Sequence, residues 1–424
     1  MKQALVLLVP TLLLAGCGGE HTSSSSDRTQ VTILGTIKAE IGPHFEQALE
    51  TYNASQSEYE IVSLPIDGNT YEKMTALYAS NNAPTIMVMG QEAQELKDRL
   101  MDFSQSELIK NAYPGTYDVV KDGERVLGVP ITVESFGFLY NKAVLDQAVG
   151  GEFNPSTINT QEKLAKLFEQ ISALDNVDAV SVSPMDWSLG AHFSNVLFAN
   201  QGNGLAANLE ALEAIKAGEI SLQKNDVYNG WVDTFDLMKE YNRSKRSPLA
   251  PTYDESAMAL AQGQVGMWFQ GNWAYAILNE LNADGEFGIL PVPVNNDEDF
   301  KGNNALSVGV PMYFTIDAAQ STEAEREGAQ DFLNWLFTSE AGIDAYVNKM
   351  NFIPVYENIT IEPADELSRT ILAKMQAGET LNWINMYYPG DAFPSMGASM
   401  QKYLGDVIDR PALAGELEKY WTSK

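Results

Sequence analysis

The sequence predicts an α/β fold of two domains. Strand-like and helix-like stretches alternate in short order between Val31 and Met89, the mark of a layered sheet with parallel strands. The chain has 424 residues, enough for two domains each with its own core. No linker interrupts the body, so the chain is expected to cross between the domains more than once.

Val31-Thr32-Ile33-Leu34 reads as the first strand, ending at Gly35. Phe45, Ala48, Leu49 and Tyr52 follow at i, i+3, i+4, i+7, one face of a helix. Val62, Leu64 and Ile66 alternate as a second strand. Met74, Leu77 and Tyr78 mark a second helix, closed by Asn81-Asn82-Ala83-Pro84. Thr85 to Met89 is a third, apolar strand. In such sheets ligands sit beyond the C-terminal strand ends. Those ends fall near 35–40, 67–70 and 90–94. Further on, Leu164, Leu167, Phe168 and Ile171 repeat the helical spacing. Val177 to Ser183 and Val265 to Phe269 read as strands, Phe193 to Asn200 and Trp231 to Tyr241 as helices, and Gly271-Asn272 opens another. Thr322-Glu323-Ala324-Glu325 is a capping box before Phe332, Leu333, Leu336 and Phe337.

The N-terminus reads as an export signal: Lys2, an apolar run from Ala4 to Ala15, then Gly16-Cys17. The run is too short to span a bilayer, which needs about 20 residues. Leu14-Ala15-Gly16-Cys17 resembles the bacterial lipobox, which implies cleavage before Cys17 and a lipid on its sulfur. Residues 1–16 are then the signal, and 17–29, rich in serine, a flexible tether. Cys17 is the only cysteine, so neither an internal disulfide nor a cysteine-based zinc site is expected. The net charge is -30, becoming -31 once Lys2 is removed. Such a surface repels nucleic acid and anionic lipid and weakly favours neutral or cationic ligands.

Four stretches resemble the sugar-binding class of extracellular solute-binding proteins, the receptors of ABC importers, with maltose-binding protein as the familiar member. The first is Gly128-Val129-Pro130, running on to Tyr140-Asn141-Lys142, similar to the family's crossing strand. The second is Ala261 to Trp273, with Gly263-Gln264-Val265-Gly266-Met267 and Gly271-Asn272-Trp273. The third, Gly288 to Pro293, resembles the return crossing. The fourth is the helix from Ala324 to Thr338 with Ser339-Glu340-Ala341-Gly342 and Phe352-Ile353-Pro354. The resemblance implies a two-lobed periplasmic-binding-protein fold, the chain crossing between lobes about three times. It places 30–133 plus 288–350 in the first lobe and 134–287 plus 351–424 in the second. A sugar, rather an oligosaccharide than a single ring, would bind in the cleft and pass to the permease subunits of an importer. The receptor is expected to be a monomer, held to the membrane by its lipid alone and needing no cofactor or metal.

A sugar offers an apolar C–H face and a rim of hydroxyls, so aromatic rings and hydrogen-bonding side chains are the candidates. Trp273 matches the family's stacking tryptophan and Glu134 a glutamate at the first crossing. Asp186 and Trp187 follow a strand end. Asp391 and Phe393 lie in a glycine- and proline-rich loop. Asp67, Asn69, Thr36, Glu40, Gln91 and Gln270 sit at strand ends or adjoining turns. Tyr140 and Asn141 are expected to be structural.

Three rival functions follow from other features. A glycoside hydrolase would need a carboxylate pair about 5–10 Å apart. No H-E-x-x-H, G-x-S-x-G or Walker A pattern occurs. Tyr387-Tyr388 resembles the adjacent tyrosines of ferric-ion receptors. A polyamine receptor would exploit the acidic charge.

Overall fold

The computed structural model describes residues 28–35, 41–65 and 70–424. Among the described residues thirteen strands form two main sheets and a small hairpin. The chain begins with β1 (Thr29–Leu34), β2 (Tyr59–Ser63) and β3 (Ile86–Met89). β4 (Lys121–Asp122) and β5 (Arg125–Val126) make the hairpin, and β6 (Val129–Pro130) follows. Then come β7 (Glu134–Asn141), β8 (Asp178–Val182), β9 (Val265–Gly271), β10 (Phe287–Leu290) and β11 (Leu306–Gly309). β12 (Tyr313–Ile316) and β13 (Thr380–Asn382) complete the set.

The first sheet has the order β2-β1-β3-β12-β6. β1 runs parallel to both β2 and β3, with Ile33 beside Ile86, while β12 is antiparallel to β3 and β6. The parallel half is what the alternation of strand and helix requires, because a parallel pair needs a crossover between its strands. The second sheet runs β13-β11-β7-β9-β8. Its spine is β7, whose eight residues are all buried. β9 lies along one edge of β7, and the other edge is shared by β10 and β11. Core clusters lie on both faces, so β7 is buried along its whole length and not at alternate residues.

The chain therefore leaves the first sheet after Pro130, returns before Tyr313 and leaves again before Thr380. The return expected at 288 comes later: β10 and β11 both pair with β7 in the second sheet. After 351 the chain also stays longer on the first side than expected. Ile353 bridges Val133, and the Tyr356 hydroxyl donates to the Pro130 carbonyl. Phe352, Ile353 and Tyr356 pack in the core cluster of the first sheet. That cluster also takes in one face of the second sheet, and a second cluster fills the other face. Trp273 packs against both.

Most predicted elements form where the periodicity places them. In the helix Gly42–Ser55 the buried residues are Phe45, Ala48, Leu49 and Tyr52. The helix Gln161–Ser172 buries Leu164, Leu167, Phe168 and Ile171. Asn141 caps the helix that follows it, its side chain accepting from the Val144 N–H. In β2 the phase differs: Ile61 is the buried residue and Val62 is half-exposed. Leu64 lies past the strand end, and Ile66 is outside the described residues. Among the described residues no helix is long and apolar enough to cross a membrane.

Candidate ligand-binding site

A cavity of about 480 Å³ lies between the two sheets. One wall continues from the C-terminal end of β3: Val88, Met89, Gly90, Gln91 and Glu92, with Met74 beside them. Here the ladder stops and a short helix, Gln91–Gln94, turns the chain away. The Gly90 N–H donates to Glu92 Oε2 at 2.9 Å, which fixes that turn. Pro311 and Met312, on the return to the first sheet, close the back. The opposite wall is His192, Trp383, Asn385, Met386 and Phe393. The volume falls in the usual range for small-ligand sites, about 300–1,000 Å³.

Behind the second wall the aromatic rings form a layered floor. Phe136 of β7 lies in the sheet, and the His192 imidazole stacks on it with centroids 4.6 Å apart. Trp273 is tilted against His192 at 4.9 Å and Trp383 at 5.8 Å. Trp187 extends the group, 6.4 Å from Trp273 and 5.5 Å from His192. His192 and Trp187 belong to a seven-residue π-helical stretch, Trp187–Phe193. Such widened turns shift side chains out of α-helical phase and are frequent at functional sites. Asn195 holds the segment that carries Trp383. Its amide donates to the Asn382 carbonyl and the Ser307 hydroxyl, and its Oδ1 accepts from the Asn385 N–H.

Three polar atoms on residues lining this cavity have no partner: Gln91 Oε1, Trp383 Nε1 and Asn385 Oδ1. Each is buried, and leaving such a group unsatisfied costs about 1–3 kcal/mol. Two accept and one donates, and a hydroxyl does both. Among the described lining residues Glu92 is the only carboxylate, and none is lysine or arginine.

Of the residues singled out from sequence, Gln91 and Phe393 line this cavity. Glu134 and Trp273 line a smaller pocket at the crossing, with Thr132, Asn272 and Phe352. Trp187 joins the aromatic floor. Asp186 is exposed, and its Oδ1 accepts from the Trp187 N–H at 2.7 Å. Gln270 is buried within β9, with Oε1 accepting from the Gly271 N–H, and does not line the cavity. Asp391 is committed elsewhere. It accepts from the Tyr420 hydroxyl at 2.9 Å and from Lys424 Nζ at 2.5 Å, and the Lys424 hydrogen bond holds its carboxyl below the usual carboxylate range. A glycine- and proline-rich loop thus delivers its aromatic residue, Phe393, to the cavity but not its acid. Thr36, Glu40, Asp67 and Asn69 lie outside the described residues, as does Cys17.

Sequence reasoning missed His192, Trp383, Asn385 and Met386. Trp383 and Asn385 stand just beyond β13, a strand too short to show periodicity. A tryptophan and an asparagine two apart in such a stretch were the available signal. The neighbouring Tyr387 and Tyr388 do not make a pair aimed at one site. Tyr388 packs on Trp421 at 5.0 Å and Phe198 at 5.7 Å, and burial pushes its hydroxyl pKa up. Tyr387 is pushed up to about 12, by burial and then by the charge of Asp118.

A two-lobed α/β binding fold with an aromatic cleft is the class of protein defined here. Residues 47–369 match the model of the bacterial extracellular solute-binding protein family, and the chain belongs to that family. Solved structures share its fold over nearly their whole length. The solute-binding protein RafE in complex with raffinose is 16% identical, with a TM-score of 0.75, over 93% of this chain and 99% of that one. A chitin oligosaccharide binding protein is 17% identical, with a TM-score of 0.73, over 94% and 99%. A sugar transporter from Bacillus licheniformis in complex with stachyose is 15% identical, with a TM-score of 0.71, over 93% and 100%.

Proposed function

We propose that this protein captures a carbohydrate, an oligosaccharide rather than a monosaccharide, in the cleft between its lobes. It delivers that sugar to a membrane ABC importer. The observation that carries this reading is the cavity itself, with His192, Trp383 and Phe393 along one wall and unpaired donors and acceptors on the residues that line it. Aromatic faces suit the C–H face of a sugar, and the three unpaired atoms suit its hydroxyls. Among the fold neighbours are a protein in complex with raffinose, one in complex with stachyose and a chitin oligosaccharide binding protein. Lobe closure follows if the ligand touches both walls only when they approach. The lobes divide by sheet, 29–130 with 313–359 against 134–309 with 380–424. A lipid on Cys17 keeps the receptor near the importer.

A glycoside hydrolase gains nothing from the described lining residues, which hold one carboxylate where hydrolysis uses two. Ferric ion is disfavoured because it would need phenolates from two tyrosines whose pKa values lie above the ordinary one. A thermal-shift screen over mono- and oligosaccharides tests the proposal. A ligand at 100 times its dissociation constant adds roughly 2.7 kcal/mol of stability. If spermidine raised the melting temperature and no carbohydrate did, the sugar reading would be lost. A steep fall of that shift with salt would then mark Glu92 and the acidic surface as the attraction.

A further inference from the structure

Two glycines of the second sheet carry tryptophans directly on them. A Cβ placed on Gly271 would sit 2.0 Å from Trp273 Cζ3 and 2.1 Å from its Cη2. A Cβ placed on Gly309 would sit 2.4 Å from Trp383 Cγ and 2.6 Å from its Cδ2. Carbon atoms in contact prefer about 3.5–4.0 Å. Neither glycine is demanded by its own backbone. Gly271 has φ -111° and ψ 170°, an extended conformation open to any residue. Gly309 pairs regularly with Glu134 and lies outside the set of positive-φ glycines. The absent side chains therefore serve the indoles and not the chain path.

The two notches flank β7. Phe136 of β7 pairs with Gly271 on one edge, and Glu134, two residues before it on the same face, pairs with Gly309 on the other. His192 covers Phe136 between them. Beside Glu134 and Phe136, a missing Cβ is a hollow, and each indole sinks into one.

We infer that Gly271 and Gly309 are positioning residues of the ligand site, setting the depth of its aromatic floor through Trp273 and Trp383. The inference rests on the carbohydrate reading for its ligand. An alanine at 271 would lift the far edge of the Trp273 indole toward the cleft, since the sheet blocks movement the other way. The lifted ring would occupy space that a sugar face needs and hold the lobes apart. Gly309 acts on Trp383 nearer its root, so alanine there would tilt the whole side chain.

The test is a double-mutant cycle on the full chain, with raffinose and maltotriose as probes. G271A should weaken binding of whichever trisaccharide the wild type takes by about tenfold or more. In a W273A background the same change should alter residual affinity by less than about twofold, because the residue it acts through is gone. Equal losses in both backgrounds, or full affinity in G271A, would overturn the inference. If G271A does not fold, G271A with Trp273→Phe should fold, since the smaller ring leaves room. Failure of that pair as well would mean that Gly271 serves the backbone, again overturning it. If neither trisaccharide binds the wild type, raffinose and maltotriose are excluded as ligands with no bearing on Gly271. Fluorine NMR of 5-fluorotryptophan protein without ligand then decides. G271A should move the Trp273 resonance while leaving those of Trp231 and Trp421 in place, and an unmoved Trp273 signal would refute the role of Gly271.

Discussion

Asp317 is a fully buried carboxylate at the end of β12. It accepts from the Tyr78 hydroxyl at 2.9 Å and from the N–H groups of Gln320 and Ser321 at 2.7 and 2.6 Å. Every one of these donors points at an acceptor-only group. Asp317→Asn turns an NH₂ toward some of them, and the expected loss is about 1–3 kcal/mol, read from urea unfolding. At the surface, Asp146 accepts from Lys142 Nζ and the Phe153 N–H, and these hold its carboxyl below the usual range. Asp391 and Glu255 are lowered in the same direction. A depressed folded pKa gives stability above the unfolded value, about 4 for these groups, which is lost as pH falls through the folded value. Melting temperature should therefore drop below about pH 4, and substituting Asp146 with Asn should flatten part of that drop. At this scale the sequence reveals residue types, not partners. Gln91 and Phe393 could be picked out because strand ends and Gly-Pro loops face clefts. Asp391 could not be set aside, because the lysine and tyrosine that occupy it lie some thirty residues downstream.

The helix Glu323–Thr338 shows how far local rules reach. Thr322 accepts from the Glu325 N–H, and the Glu325 carboxylate accepts from the Thr322 N–H in return. Both contacts were legible in four consecutive letters. Thr322→Ala should cost about 1 kcal/mol, seen as a lower urea midpoint with unchanged slope. Strand β2 shows where such rules stop. Val62, Leu64 and Ile66 alternate well, yet the buried position is Ile61, because the parallel register with β1 sets Ile61 beside Val31. The π-helical turn at Trp187–Phe193 was likewise invisible, since periodicity assumes 3.6 residues per turn. It is the element that brings His192 under the cleft, so the chief omission at the site has a definite cause.

For the whole molecule, the alternation in the first 90 residues and the absence of a linker were enough to anticipate two α/β bodies. Where the chain returns was harder to place. β10 resembles a return strand in composition, but β7 is long enough to pair with β10 and β11 in succession along one edge. The return waits until that edge is full. Closure of two bodies on a shared ligand predicts that the radius of gyration in small-angle scattering falls when a bound sugar is added. No change with saturating sugar would argue for a rigid cleft. Anchoring predicts that Cys17→Ala moves the protein from the membrane fraction to the fluid outside it; retention in the membrane would rule out the lipid.

The crowding of rings around His192 gives the protein an optical property as well. Trp187, Trp273 and Trp383 are three of its seven tryptophans. Trp231, Trp268 and Trp421 are wholly buried in the cores, where occupancy of the cleft hardly reaches them. Near-ultraviolet emission from this molecule is thus a steady background plus a signal gathered at one place. A solute settling on that floor would displace water from the partly exposed Trp187 and Trp273 and shift their emission toward the blue. The receptor is its own fluorimetric indicator, and a titration in a cuvette reads its ligand without any label.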